Sequence, residues 1–139
     1  MRVMSIDFGD SRTGIAISDP GGILASGVET IFEKNPKTVA KQAAQIAQRL
    51  EAERIVVGMP KNMDGSIGFR GEKTLEFIER LKKYTELEIA TFDERLTTVS
   101  AELTLNQANI RGEKRKQVID TVAAEIILQA YLESIKGGN

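Results

Sequence analysis

Short apolar segments separated by turn residues fill the first part of the chain. Residues 2–8 and 13–18 are apolar and rich in β-branched side chains, and the polar segment 9–11 between them is typical of a turn. A second group of turn residues at 19–22 precedes another apolar segment at 23–31. This pattern predicts three consecutive antiparallel strands.

Apolar residues then change to helical spacing between positions 39 and 50. Asn35 is a candidate N-cap, and Pro36 stands at the first helical position. We predict a helix that runs to about Glu53. Residues 54–58 follow it as a buried strand.

The second half of the chain combines one long loop with further regular elements. Glycine and proline punctuate 58–71, which predicts a loop of functional interest. The apolar pattern predicts a helix at 75–81, a fifth strand at 87–92, a short helix at 98–108 and a long helix at 113–136. No internal repeat is present in the sequence.

The order of these elements predicts an α/β fold. The first three strands form an antiparallel meander, and the fourth and fifth join it in parallel, because a strand–helix–strand unit requires a right-handed crossover. A five-stranded mixed sheet flanked by helices follows, which is the RNase H-like arrangement. One half of an actin-like domain shares this order. We expect residues 1–139 to form a single domain.

Composition narrows the available chemistry. The chain has no cysteine and no histidine, which excludes disulfides, thiolate nucleophiles, the Ser-His-Asp triad and imidazole ligands. Carboxylates without imidazole favour Mg²⁺ or Mn²⁺ over Zn²⁺. No apolar segment is long enough to span a bilayer, and residues 1–8 do not resemble a signal peptide, so we expect a cytoplasmic protein.

Charge is unevenly distributed, although the formal net charge is only −1. The segment Arg111–Lys116 holds four cations and one anion. A nucleic-acid partner would therefore be held locally rather than steered by the field of the whole molecule.

Carboxylates stand at the ends of two predicted strands. Asp7 closes the first strand and shares a face with Val3 and Ser5, since side chains alternate along a strand. Asp93 and Glu94 follow the fifth strand on opposite faces, so one of them should point towards the face of Asp7. The simpler alternatives are a turn residue for Asp7 and helix-start residues for the other two.

Asp120 is the third candidate carboxylate. It lies at the margin of the apolar stripe of the last predicted helix, from which it could reach a cleft shared with strand ends. Three carboxylates from such distant positions would repel one another unless cations lay between them. They could hold one or two Mg²⁺ or Mn²⁺ ions for phosphodiester hydrolysis.

Four groups of residues, in order along nearly the whole chain, resemble the YqgF family. They are Asp7-Phe8-Gly9 with Arg12 and Gly14, Gly58-Met59-Pro60 with Asp64-Gly65, Asp93-Glu94-Arg95 with Thr97-Thr98, and Asp120 with Ala123-Ala124. Members of this family are RNase H-like proteins related to the Holliday-junction resolvase RuvC.

The resemblance implies roles for particular residues. Asp7, Glu94 and Asp120 occupy the catalytic, metal-binding carboxylate positions, with Mg²⁺ or Mn²⁺ as the cofactor. RuvC-type resolvases carry a fourth carboxylate three residues beyond the third, and here that position is Ala123. The family is implicated in maturing the 5′ end of pre-16S ribosomal RNA, and its members were first described as Holliday-junction resolvases.

Other residues are candidates for binding the nucleic acid or shaping the loops around it. Phosphate contacts are expected from Lys114, Arg115 and Lys116, and with weaker support from Arg12, Lys61, Arg70 and Arg95. Gly58, Pro60 and Gly65 are predicted to shape a loop that lets a phosphate backbone approach closely, and Gly9 is predicted to shape the turn after the first strand. The alternatives are surface charges and ordinary turn punctuation.

Four functions stay open at this point. The leading one is a metal-dependent endonuclease acting on precursor ribosomal RNA, as a monomer or weak homodimer. A Holliday-junction resolvase would cut branched DNA and need two active sites, hence a dimer. The others are an ATP-binding module, for which the chain supplies only one lobe, and a non-catalytic ribosome-assembly protein that binds nucleic acid. No membrane partner is expected.

Overall fold

Five strands form one mixed sheet. The computed structural model describes residues 1–97 and a helix over 112–137, with side chains described for 1–97 and 121–136. The strands are β1 (Val3–Asp7), β2 (Arg12–Ser18), β3 (Ala25–Phe32), β4 (Arg54–Met59) and β5 (Glu88–Asp93). They lie in the order β3-β2-β1-β4-β5. β1 pairs antiparallel with β2 and parallel with β4, which confirms the predicted topology.

Helices cover both faces of the sheet. They are α1 (Pro36–Arg49), α2 (Phe69–Leu81) and α3 (Gly112–Gly137), with a 3₁₀ turn at Glu94–Leu96. Over the described part of the chain, no helix combines the length and the apolar character needed to cross a membrane. The helix predicted at 98–108 lies outside the described residues.

Alternation along β1 divides the core into two clusters. Met4 and Ile6 pack with α1 and α2, whereas Val3 faces α3. The first cluster also contains Val39, Ala43, Ile46, Phe77 and Leu81, and the second contains Val56, Ala124, Leu128, Tyr131 and Leu132. Asp7 therefore stands on the α3 side of the sheet, as its spacing from Val3 predicts.

α3 runs antiparallel to β1. Val3 packs in the same cluster as Leu132, and the fully buried Ser5 donates a hydrogen bond from Oγ to the carbonyl oxygen of Ala124 at 2.6 Å. Moving along β1 towards Asp7 thus means moving along α3 towards its first residues. The carboxyl end of β1 and the amino-terminal half of α3 meet at one edge of the sheet.

Two predicted helix boundaries are wrong for identifiable reasons. α1 begins as predicted, because the Asn35 side chain accepts from Lys37 N, but it ends at Arg49 rather than near Glu53. Glu51 adopts a left-handed conformation with φ of 57°, and Ala52 N donates to the Ala47 carbonyl, which closes the helix. α2 begins earlier than predicted, so the loop that follows β4 covers only 60–68.

Candidate active site

Asp7 ends β1 at the edge where the sheet meets α3. It pairs with Gly14 of β2, and the neighbouring Ile6 pairs with Val57 of β4. Beyond Asp7 the chain turns tightly at Gly9, where a Cβ atom would lie 2.3 Å from the Arg12 carbonyl oxygen. A side chain at position 9 would displace the turn that fixes the end of β1. The predicted shaping role of Gly9 thus has a direct steric basis.

Glu94 reaches Asp7 across a gap left by Gly58. It begins the 3₁₀ turn directly after β5, and Gly58 belongs to β4 rather than to the loop that follows. A Cβ atom at position 58 would lie 2.6 Å from Glu94 Oε1 and 2.6 Å from Ile127 Cδ1. The missing side chain therefore lets the Glu94 carboxylate lie between β4 and α3, where it hydrogen-bonds Asp7.

Burial and the contact with Glu94 change the protonation of Asp7. Burial raises the pKa of Asp7 well above its ordinary value, and the hydrogen bond and negative charge of Glu94 raise it further. The charge of Arg70, in the first turn of α2, lowers the same pKa, which places a cation beside the pair. Two carboxyl groups held this close favour a shared proton or a cation between them.

Asp93 points away from the pair and binds Arg95. The Arg95 guanidinium donates to both carboxylate oxygens of Asp93, with Nη2 to Oδ2 at 2.6 Å. This contact lowers the pKa of Asp93. The prediction that Asp93 and Glu94 face opposite ways, with one directed at Asp7, is confirmed.

Arg95 also joins the loop after β4 to the end of β5. Its Nη1 donates to the carbonyl oxygens of Asn62 and Met63 at 3.4 and 3.3 Å. The loop is closed internally by Asn62 N donating to the Ser66 carbonyl and by Gly65 at φ of 89°. Arg95 thus braces the loop beside the carboxylates, and its phosphate contact stays a prediction.

The remaining predicted residues are distributed around this edge. Lys61 lies near Asp93, whose pKa its charge lowers. Arg12 is the first residue of β2. The carbonyl oxygen of Pro60 packs closely against Gly71 of α2, since a Cβ atom at position 71 would lie 3.0 Å from it.

Asp120 lies in α3 one turn before Ala124, whose carbonyl binds Ser5. Its backbone is therefore at the end of α3 nearest Asp7, while its side chain is outside the described part of the chain. The same holds for Lys114, Arg115 and Lys116 in the first turns of α3. Among the side chains described for 1–97 and 121–136, no group of three or more acidic residues could hold a metal ion.

A family model settles the relationship of this chain to known proteins. The model described as "RuvX: Holliday junction resolvase" matches residues 1–134. The chain belongs to the RuvX family. This is the YqgF family that the four groups of residues resemble, so that prediction is confirmed.

Curated RuvX relatives match over nearly their whole length. A protein of Desulforamulus reducens named "Putative pre-16S rRNA nuclease" is 50% identical over 134 residues, covering 96% of this chain and 98% of the relative. A protein of the same name from Halothermothrix orenii is 50% identical over 132 residues, covering 95% and 94%.

Solved structures share the fold at low sequence identity. Thermus thermophilus RuvC in complex with a Holliday junction substrate has a TM-score of 0.63 and 13% identity, covering 99% of this chain and 96% of that one. The fowlpox virus resolvase bound to Holliday junction DNA has a TM-score of 0.60 and 13% identity, covering 97% and 99%. These similarities confirm the RNase H-like fold class.

Sequence reasoning missed what positions the carboxylates. It gave no structural role to the Ser5 hydroxyl, which binds α3 to β1, or to Asp93 as the anchor of Arg95. A buried serine two residues before Asp7 on the same strand face was the available signal for the first. The Asp93–Arg95 spacing was available for the second, but it does not specify that the guanidinium also reaches the loop.

Proposed function

We propose that this RuvX protein is a metal-dependent nuclease that hydrolyses phosphodiester bonds. The observation that carries the proposal is the Asp7–Glu94 pair, two carboxyl groups from different strand ends that contact each other at the edge of the sheet. Such a pair is costly to keep for stability alone, because each negative charge disfavours the other. It is well suited to binding a cation.

The residues present fit a hard divalent ion. Asp7 is held against Glu94, and the positive charge of Arg70 acts on Asp7 from the first turn of α2. The side chains that could ligate a metal at this edge offer oxygen atoms, since the chain has no histidine or cysteine. Oxygen-only donor sets favour Mg²⁺ or Mn²⁺.

Asp120 is the third proposed ligand. Helical geometry places position 120 on the face that carries Ala124 and Ile127, and both of these contact the Asp7 side of the sheet. When bound, divalent ions at such a site activate water and neutralise the leaving oxygen of a phosphodiester.

The protein's own groups have distinct tasks in this proposal. Asp7, whose pKa is raised, must be deprotonated before a cation is held, and Gly58 leaves the space that keeps Glu94 in reach. Arg70 and the first-turn cations of α3, Lys114, Arg115 and Lys116, bind phosphates on either side of the cut. The loop braced by Arg95 borders the substrate path.

Precursor ribosomal RNA is the proposed substrate, in maturation of the 5′ end of pre-16S RNA in the cytoplasm. Support comes from the shared name of relatives that are 50% identical over almost the whole chain.

A cleavage assay tests the proposal. Wild-type protein should cut a labelled pre-16S 5′ fragment with Mg²⁺ or Mn²⁺ and fail with EDTA. Asp7→Asn and Glu94→Gln should abolish cutting while the circular dichroism spectrum is kept, and Glu79→Gln, an exposed carboxylate paired with Lys82, should cut normally. RNA binding without turnover by the wild type would instead support an assembly protein.

A Holliday-junction resolvase is the second candidate, favoured by the description of the family model. Symmetric cutting of a four-way junction requires two sites and therefore a dimer. Position 123, where RuvC-type resolvases carry their fourth carboxylate, is alanine in this chain. Comparing a four-way junction with the RNA fragment, together with the mass of the protein in solution, separates the two candidates.

A further inference from the structure

A charged cavity lies on the opposite face of β1 from the carboxylate pair. Asp7 faces α3, whereas the next residue, Phe8, faces the α1 and α2 side and stacks on Phe77 at 4.3 Å between ring centroids. A cavity of about 170 Å³ lies against this stack. The two sites are thus separated only by the end of β1.

Three cations from two parts of the chain line this cavity. Lys34 comes from the segment before α1, and Lys73 and Arg80 come from α2. Asp10 and Glu76 also line it, so the lining carries one net positive charge. The stacked Phe8 and Phe77 rings exclude water on one side, which strengthens the field of the remaining cations.

The Lys73 ammonium lies 4.7 Å from the centroid of the Phe69 ring and forms an exposed ion pair with Asp10 that an anion could replace. It lies 3.4 Å from Asp10 Oδ1, and the two side chains are 44% and 76% exposed. Surface ion pairs of this kind contribute little to stability. An incoming anion can therefore replace Asp10 as the partner of Lys73 at small cost.

α2 connects the cavity with the proposed active site. Arg70 acts on Asp7, and Lys73 follows one helical turn later, on the same stripe as Arg80. Positions 70 and 73 are about 4.5 Å apart along the helix axis, so cations at both positions could contact the same strand.

We propose that the cavity lined by Lys34, Lys73 and Arg80 binds a backbone phosphate of the substrate strand, a few nucleotides from the bond cut at Asp7 and Glu94. This inference rests on the proposed nuclease function, which it deepens by adding a second anchor for the strand. Because the cavity would bind a phosphate and no base, its contribution to affinity should not depend on base sequence.

Binding measurements on the intact protein test it. The probe is a fluorescently labelled single-stranded RNA 12-mer, with DNA of the same sequence in parallel, titrated in EDTA so that no cleavage occurs. Lys34→Gln with Arg80→Gln should weaken binding about tenfold and lower the slope of log affinity against log salt by about 0.7, because contact with one phosphate is lost. The matched control is Lys41→Gln with Lys83→Gln, two exposed lysines that do not line the cavity.

Asp10→Asn gives a prediction of opposite sign. It removes the carboxylate that competes with phosphate for Lys73, so RNA affinity should rise several-fold. Equal loss in the cavity variant and its control would overturn the proposal, as would unchanged or weaker binding by Asp10→Asn. Failure of the wild type to bind either strand overturns it as well.

Position-specific neutralisation identifies the phosphate. Replacing single phosphates near the cleaved bond with methylphosphonate should weaken wild-type binding at one position in particular, and that effect should vanish in the Lys34→Gln and Arg80→Gln variant. Saturation of the cavity by inorganic phosphate, with no position-specific effect, would indicate a free-anion site and contradict the strand anchor. If neither the wild type nor the variant cleaves RNA but the position-specific effect on binding is observed, only the nuclease proposal fails.

Discussion

At the scale of single residues, the site depends on the lack of a side chain at Gly58. Gly58 makes room for Glu94 and Ile127, and Glu94 can therefore contact Asp7. Alternation along β1 sets the direction of Asp7, but the position of Glu94 depends on the space beside Gly58. The pair is a product of close packing between β4, the 3₁₀ turn and α3.

Gly58→Ala tests this packing. The new methyl group would lie 2.6 Å from Glu94 Oε1, so the carboxylate must move. We expect a loss of about 1–3 kcal/mol in the free energy of unfolding and about 100-fold in cleavage rate. Gly21→Ala, in a surface turn, is the comparison, and equal activity of the two variants would show that Glu94 does not need this gap.

Asp7→Asn tests the electrostatics of the pair in metal-free protein. Because the folded pKa of Asp7 is raised, the folded state binds the proton more tightly than the unfolded state. Stability should therefore fall as pH rises from the ordinary carboxyl pKa through the raised one. The amide introduced by the substitution cannot ionise, so the variant should melt at a higher temperature than wild type at neutral pH and lose this pH dependence. A lower melting temperature at neutral pH would contradict the account.

The residue-scale predictions succeed where a short-range rule applies. Side-chain alternation places Asp7 with Val3 and Ser5, and separates Asp93 from Glu94. The role of Gly58 was out of reach, because it depends on how α3 packs over β4. A glycine in a strand signals a bulge or a close approach, but not what approaches.

At the scale of elements, two contacts fix the neighbours of the site. Ser5 joins β1 to α3 at Ala124, and Arg95 joins β5 to the loop at 60–68. The first sets the distance of α3 from the sheet. The second keeps the loop beside the carboxylates.

Ser5→Ala removes the contact between β1 and α3. The hydroxyl is fully buried and donates at 2.6 Å to the carbonyl oxygen of Ala124, which is also a buried residue. We expect a loss of about 1 kcal/mol in the free energy of unfolding, measured with urea. A variant as stable as wild type would show that apolar packing alone positions α3.

Arg95→Lys removes the brace of the loop. Lysine keeps the charge but cannot donate to Asp93 and to two loop carbonyls at once. Because the pair is partly exposed, global stability should fall by less than about 1 kcal/mol. Amide hydrogen exchange at Gly65 and Asn62, whose N–H groups close the loop, should become faster. Unchanged exchange at both amides would argue against bracing.

Element boundaries were predictable only where the sequence carries the usual signal. The Asn35-Pro36 start of α1 is such a signal. The end of α1 carries no such signal, because Glu51 takes the left-handed conformation in which a glycine is usual. The start of β3 shifts because the Asp19 carboxylate accepts from the backbone N–H groups of Ile23 and Leu24, which prolongs the turn.

At the scale of the whole molecule, the topology explains why residues distant in sequence meet. Parallel pairing of β1, β4 and β5 brings their carboxyl ends to one edge, and antiparallel packing of α3 brings its first half there too. This arrangement was predictable from the order of the elements, since the right-handed crossover between parallel strands leaves few alternative topologies. The contact between Asp7 and Glu94 was predictable only as one of two options, because the sequence did not decide whether Asp93 or Glu94 points towards Asp7.

Calorimetric titration of metal-free protein with Mn²⁺ tests the central claim most directly. The account predicts saturable binding by wild type and by Glu79→Gln. Binding should be weaker by at least ~10-fold in Asp7→Asn, Glu94→Gln and Asp120→Asn, because each removes one of the proposed carboxylate ligands. Wild-type affinity in any of these three variants, or no binding by the wild type, would contradict it.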